Sequence, residues 1–219
     1  HCACLAAVRA ACQAAYPRAL RLPDEPPVPV RGSFADTSAA QAWLDAELAN
    51  ITAVIDQAAE HGAPGEAWRL AFAYRPHLMA RWLARPMLDA GVTALAAARE
   101  AGDRLGEVAA GFTLALAAET MGDLGAAARH LHRCAELSES LGWSDAQAVA
   151  LNNLGVIQIQ GGRLREAAEA FRHNIAVMRE AGNRDGEALG LTNLGLLLSV
   201  SGRPREQRLR RGRRGAGRR

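Results

Sequence analysis

Lysine is missing from this chain: all 26 basic side chains among its 219 residues are arginine. A Walker-type phosphate loop and Schiff-base catalysis both depend on a lysine amine, so neither chemistry is open to it. Aromatic residues are scarce, at 5%, and runs of β-branched residues do not occur, which argues against sheet. No apolar run reaches the roughly 20 residues that span a bilayer. Nor does the chain open with the charged start, apolar stretch and cleavage site of a secretory leader. A cytoplasmic location with no membrane partner is the expectation. Disulfides are equally out of place: Cys2, Cys4 and Cys12 crowd one end and Cys134 stands alone, which fits a reducing compartment.

Acid is what the last segment lacks. Nine arginines fall between Arg203 and Arg219, where Glu206 is the sole acid, so the net charge of +3 conceals a body of 17 basic and 22 acidic residues, about −5. That body has no nucleic-acid footprint.

Alanine, glycine and arginine are abundant, which suits helices that approach closely through small side chains and points to GC-rich coding DNA. The opening residue, His1, suggests a fragment. The sequence repeats itself with a period of 40: Gly102, Gly142 and Gly182 stand 40 apart, Leu114, Leu154 and Leu194 coincide in that register, and so do Gly122, Gly162 and Gly202. Within each unit apolar residues recur at helical spacing, as in Leu151, Leu154, Ile157 and then Ala167, Phe171, Ile175, Met178. Each unit is read as two helices broken at a glycine, and the short turns make the neighbours antiparallel.

Upstream, Ser38 to Gln41 has the form of a capping box, and Trp43, Leu44, Leu48, Ile51 and Ile55 form one stripe of a long helix ending near Gly62. Pro64 suits a first helical position, Pro86 the start of the partner helix, and Pro76 should kink the helix it interrupts. The resulting division is a helix over 1–21 from the end of a preceding module, a Pro-rich linker over 22–33, degenerate helical pairs over 34–101, repeats over 102–206 with the last one truncated, and an arginine-rich tail over 207–219. The tail reads as a disordered end or a shifted reading frame, with an arginine-rich arm for nucleic acid as the alternative. An apolar face left by the missing last helix predicts poor solubility.

The middle block resembles a tetratricopeptide repeat: Leu151, Asn153, Leu154 and Gly155 on the first helix, Gly162 at the turn, then Glu166, Ala167 and Phe171 on the second. The period of 40 departs from that family's 34, so the helices are expected to be longer. Residues 34 to 206, with the blocks GDRLGE and GNRDGEALGLTNLG, are similar to the C-terminal region of actinobacterial transcription regulators that carry an NB-ARC ATPase module, including the antibiotic regulatory protein type. The resemblance implies an all-α fold, a right-handed superhelical stack of antiparallel helix pairs. It also implies ATPase and DNA-binding modules elsewhere in the parent protein.

The signature residues Leu154, Gly155, Gly162, Ala167, Phe171, Leu194 and Gly195 are read as structural. A partner would use the concave face formed by the first helices, where Asn152, Ile159, Gln160 and Thr192 are the candidates, with Asn152 able to bond an extended peptide backbone. The partner is then a protein or peptide: the ATPase or DNA-binding modules of the same polypeptide, or another protein. No catalytic, cofactor or metal site is expected. His130 and Cys134 share a helix face but are two ligands, not four, and the CxC of Cys2 and Cys4 has no second cluster. Glu136 with Glu139, and Glu166 with Glu169, read as solvated charge, and Trp43, Trp68, Trp82 and Trp143 as packing. The function expected is a non-catalytic interaction and sensor segment of a transcription regulator, with a stand-alone adaptor or a nucleic-acid-binding repeat as alternatives.

Overall fold

Seventeen-residue helices joined by three-residue turns follow from the sequence spacing. In the computed structural model, which describes the backbone of residues 2–23, 34–61 and 63–215 and side chains over 3–23, 34–61 and 63–199, ten helices and no strand are found among the described residues. They are α1 (Cys2–Ala15), α2 (Thr37–Ala46), α3 (Leu48–Glu60), α4 (Pro64–Ala80), α5 (Ala84–Glu100), α6 (Arg104–Thr120), α7 (Leu124–Ser140), α8 (Ser144–Gln160), α9 (Leu164–Glu180) and α10 (Arg184–Gly215). From α4 onward each helix packs chiefly on the one before and the one after, giving an all-α, solenoid-like stack; α3 packs on α4 and α5, and α1 on α2 and α4.

The turns have one chemistry. Gly102, Gly122, Gly142, Gly162 and Gly182 all sit at positive φ, between 64° and 82°, in the left-handed region that only glycine enters without strain. At the first of them Gly102 N–H donates to the Arg99 carbonyl and Asp103 N–H to the Ala98 carbonyl, the crossed pair that closes a helix end. Asp103, Asp123 and Asn183 then cap the following helices through their side chains. Trp82 occupies the same place after α4, at φ 54°, and makes the same two bonds without being glycine.

One core runs from α1 to α9, with Val8, Ala11, Leu44, Ile51, Ile55, Trp68, Tyr74 and Ile157 all buried in it. Phe171, 1% exposed, lies against Gly155, where a side-chain methyl would collide with its ring. Shape complementarity of this kind, a missing Cβ opposite a phenyl ring, is what sets the distance between α8 and α9.

Several local expectations need correction. Asp36, not Ser38, caps α2, its carboxylate accepting from Ala39 N–H at 2.8 Å. The stripe from Trp43 to Ile55 is divided between two helices, because the chain leaves helical geometry at Glu47 (φ −88°, ψ 2°). Pro64 does open α4 and Pro76 does lie inside it, while α5 starts two residues before Pro86, which falls in its first turn. α1 ends at Ala15, six residues short of the expected 21, and its inner face joins the core of the stack. α10 runs through Gly202, where Gly122 and Gly162 each end a helix: beyond Glu206 no apolar stripe exists to bring a second helix back onto it. Gly62, residues 24–33 of the linker and residues 216–219 of the tail lie outside the described residues, as does the Cys2 side chain.

Candidate peptide-binding groove

The segment following α1 does not lead away from the stack. Residues Arg18 to Pro23 lie along the face made by the first helices of successive pairs, with Leu22 only 8% exposed and part of the main core. A groove of about 890 Å³ opens between this strap and the helices. Its far wall carries Trp143, Val149, Asn152 and Asn153 of the α8 region, Asn174 and Met178 of α9, and Asn183 and Leu189 beyond. A second cavity of about 300 Å³ adjoins it, sharing Arg18, Leu20, Val149 and Asn153 and reaching Arg75 and Met79 of α4 and Phe112 and Glu119 of α6. Amide side chains set among apolar ones suit an extended chain, whose backbone offers donors and acceptors at every residue.

Of the four residues expected on this face, only Asn152 lines the groove, and its Oδ1 already accepts from Asn193 Nδ2 at 2.6 Å. Gln160 donates to Glu119 Oε1 at 3.0 Å, tying the ends of α8 and α6. Thr192 is exposed and bonds back to the Ala188 carbonyl within its own helix, and Ile159 is 38% exposed near the α8 C-terminus. Asn153 is named in the sequence only as part of the repeat signature, and Asn174 and Asn183 carry no expectation as partner-binding residues. Asn174 donates to the Ala148 carbonyl at 2.7 Å while its own buried carbonyl oxygen has no partner. The strap was read as part of a helix and a linker, and only its two leucines, Leu20 and Leu22, could have signalled that it packs.

A polar relay anchors the strap. Tyr16 lies 3.0 Å from Nδ1 of His77, a residue with no solvent exposure, whose Nε2 lies 2.9 Å from Asp45 Oδ1. The carboxylate can only accept, so Nε2 carries the proton and Nδ1 accepts from the phenol. Arg81 completes the relay with two bonds to Asp45, at 2.9 and 2.7 Å. Burial lowers the His77 pKa, against the opposing pull of Asp45, and the Arg81 bond lowers that of Asp45. Tyr74 stacks on His77 and donates to the Leu44 carbonyl.

Two buried thiols are held in their protonated form. Cys134 is buried, donates to the Val108 carbonyl, and is pushed up to about 12 by desolvation; Cys12 is raised to about 12 in the same way. No group of three or more potential metal ligands forms among the described residues. Glu136, Glu139, Glu166 and Glu169, expected from sequence to be solvated charge on helix faces, line one cavity of about 330 Å³ together with His132 and His173. Trp68 and Trp143 are buried and Trp43 half-buried, but Trp82 is 75% exposed, contrary to a packing role. No helix among the described residues is long and apolar enough to cross a membrane. Compared with known protein families the chain matches none, and none of the curated proteins matches it.

Proposed function

We propose that this chain is a non-catalytic interaction and sensing segment of a larger bacterial transcription regulator, and that its groove holds an extended stretch of protein. The observation that carries the first half of this reading is the strap: residues Arg18–Pro23 already lie against the face where such repeats take partners, with Leu22 buried there. A face that already holds one non-helical segment in cis, and leaves an open groove beside it, is suited to a second segment in trans. The regulator context rests on the resemblance of residues 34 to 206 described above. Signalling would then be a change in the balance between the strap docked on this face and a partner that displaces it, each shifting the population by its difference in affinity.

Selection of displayed random peptides against the full chain tests the groove. Recovered binders should lose about tenfold in affinity when Asn153 is replaced by leucine, and should be unaffected by Gln160→Ala, which lies outside the groove. Binders indifferent to Asn153 would place the partner surface elsewhere. Sequencing the coding DNA on both sides of this segment tests the context: a lysine-containing phosphate loop and a DNA-binding module in the same frame would support it, and a stop and start codon flanking the segment would contradict it.

A further inference from the structure

Arg75 is the least explained charge in the protein. Its guanidinium lies 4.4 Å from the centroid of the Phe72 ring and 5.5 Å from that of Phe112. Desolvation lowers its pKa to about 10, which leaves it fully charged at neutral pH. Yet among the described residues no carboxylate pairs with it and no hydrogen bond is made to its side chain, whereas Arg81, Arg85 and Arg179 all have acidic partners. A half-buried cation without a counter-charge costs stability, and the attraction of two rings offsets that only in part.

The cavity of about 300 Å³ that Arg75 lines is built around this charge. Arg18 and Asn153, neither of them bonded to another described side chain, bring further donors to it, and Met79, Phe112, Leu116 and Val149 supply apolar walls. The one acid there, Glu119, is bonded to Gln160. Volume, apolar lining and a few convergent polar groups are the marks of a small-ligand site, and two guanidinium groups against the one carboxylate of Glu119 leave this lining net positive.

We propose that this cavity is a binding site for a carboxylate carried on a compact apolar frame, with Arg75 and Arg18 holding the anion, Asn153 donating to it, and the Phe112 side receiving the frame. The guanidinium fork matches a carboxylate in two bonds, and its stacking between rings fixes the fork before the ligand arrives. Both a free aromatic or aliphatic acid and an acidic side chain of a bound peptide present this chemistry. The site stands independently of whether the adjoining groove takes a peptide.

Calorimetric titration of the full chain with 3-phenylpropionate, with its neutral amide, and with a capped tripeptide bearing a central glutamate tests this. Saturable binding of the acid supports the proposal and assigns a free ligand; binding of the tripeptide supports it and assigns a peptide side chain. Binding of neither acid, or equal binding of acid and amide, would overturn it. Arg75→Met should weaken the acid by about tenfold or more while leaving the melting temperature unchanged or raised, since it removes an unpaired charge. Arg18→Gln, on the exposed strap, should weaken it by a smaller factor without touching the core, so the proposal remains testable if the first variant folds poorly. Unchanged affinity in both variants would also overturn it.

Discussion

At the scale of single residues, the stack is governed by where a side chain is absent and where one intrudes. Replacing Phe171 by alanine empties a site that is 1% exposed and should cost about 3–5 kcal/mol in chemical denaturation; an unchanged midpoint would remove the ring from its place against Gly155. Trp82 shows the opposite case. It holds a positive φ, 54°, at a turn where five other helix ends use glycine, and three-quarters of it faces solvent. Trp82→Gly should therefore raise stability by about 1 kcal/mol, measured in the same way, and a loss would mean that the indole makes contacts worth more than the strain. The glycine positions were legible from the 40-residue register alone. The role of Trp82 was not, because a tryptophan in a helical sequence is expected to pack, and only backbone geometry shows that it stands in for glycine.

Among the elements, α1 and its strap depend on the Tyr16–His77–Asp45–Arg81 relay. His77 is neutral in the folded chain with its pKa below the ordinary 6.5, so the unfolded chain binds a proton more readily. Stability is complete above pH 6.5 and falls as pH drops from there through the lowered folded value; the lowered Asp45 carboxyl adds a further loss below about pH 4. Tyr16→Phe should cost about 1 kcal/mol and should leave that pH dependence in place, whereas His77→Phe should reduce the step below pH 6.5 to the part due to His130, whose pKa burial also lowers; both are read from melting curves across pH. None of this was visible in sequence, since Tyr16, Asp45 and His77 are separated by some thirty residues each and no motif joins them. The helix pairs, by contrast, follow from periodicity that a single strand of text displays: Leu151, Leu154 and Ile157 recur on one face because α8 has one face to bury. The break at Glu47 leaves no mark in the sequence, because an apolar stripe continues across it in helical register.

For the molecule as a whole, two surfaces remain open. The outer face of α10 exposes Leu191, Leu196 and Leu198 to 50%, 64% and 53%, and Gly195 has no neighbour where its counterpart Gly155 meets Phe171. Sedimentation should show association that grows with concentration and is relieved by Leu191→Gln with Leu198→Gln; a monomer at every concentration would contradict this. The other surface is the groove beneath the strap. The face that bears it was legible in outline, because first helices of successive pairs must share a side; its lining was not, because the strap that forms one wall comes from a segment with no repeat signal. The claim that this groove holds an extended chain is tested most directly by freeing it. In the variant Leu20→Asp, Leu22→Asp, with helix content checked by circular dichroism, a fluorescently labelled peptide of residues 16–23 should bind saturably, and it should bind the parent chain about tenfold or more weakly because the strap is already in place. Equal binding to both, or none to a correctly folded variant, would contradict the account.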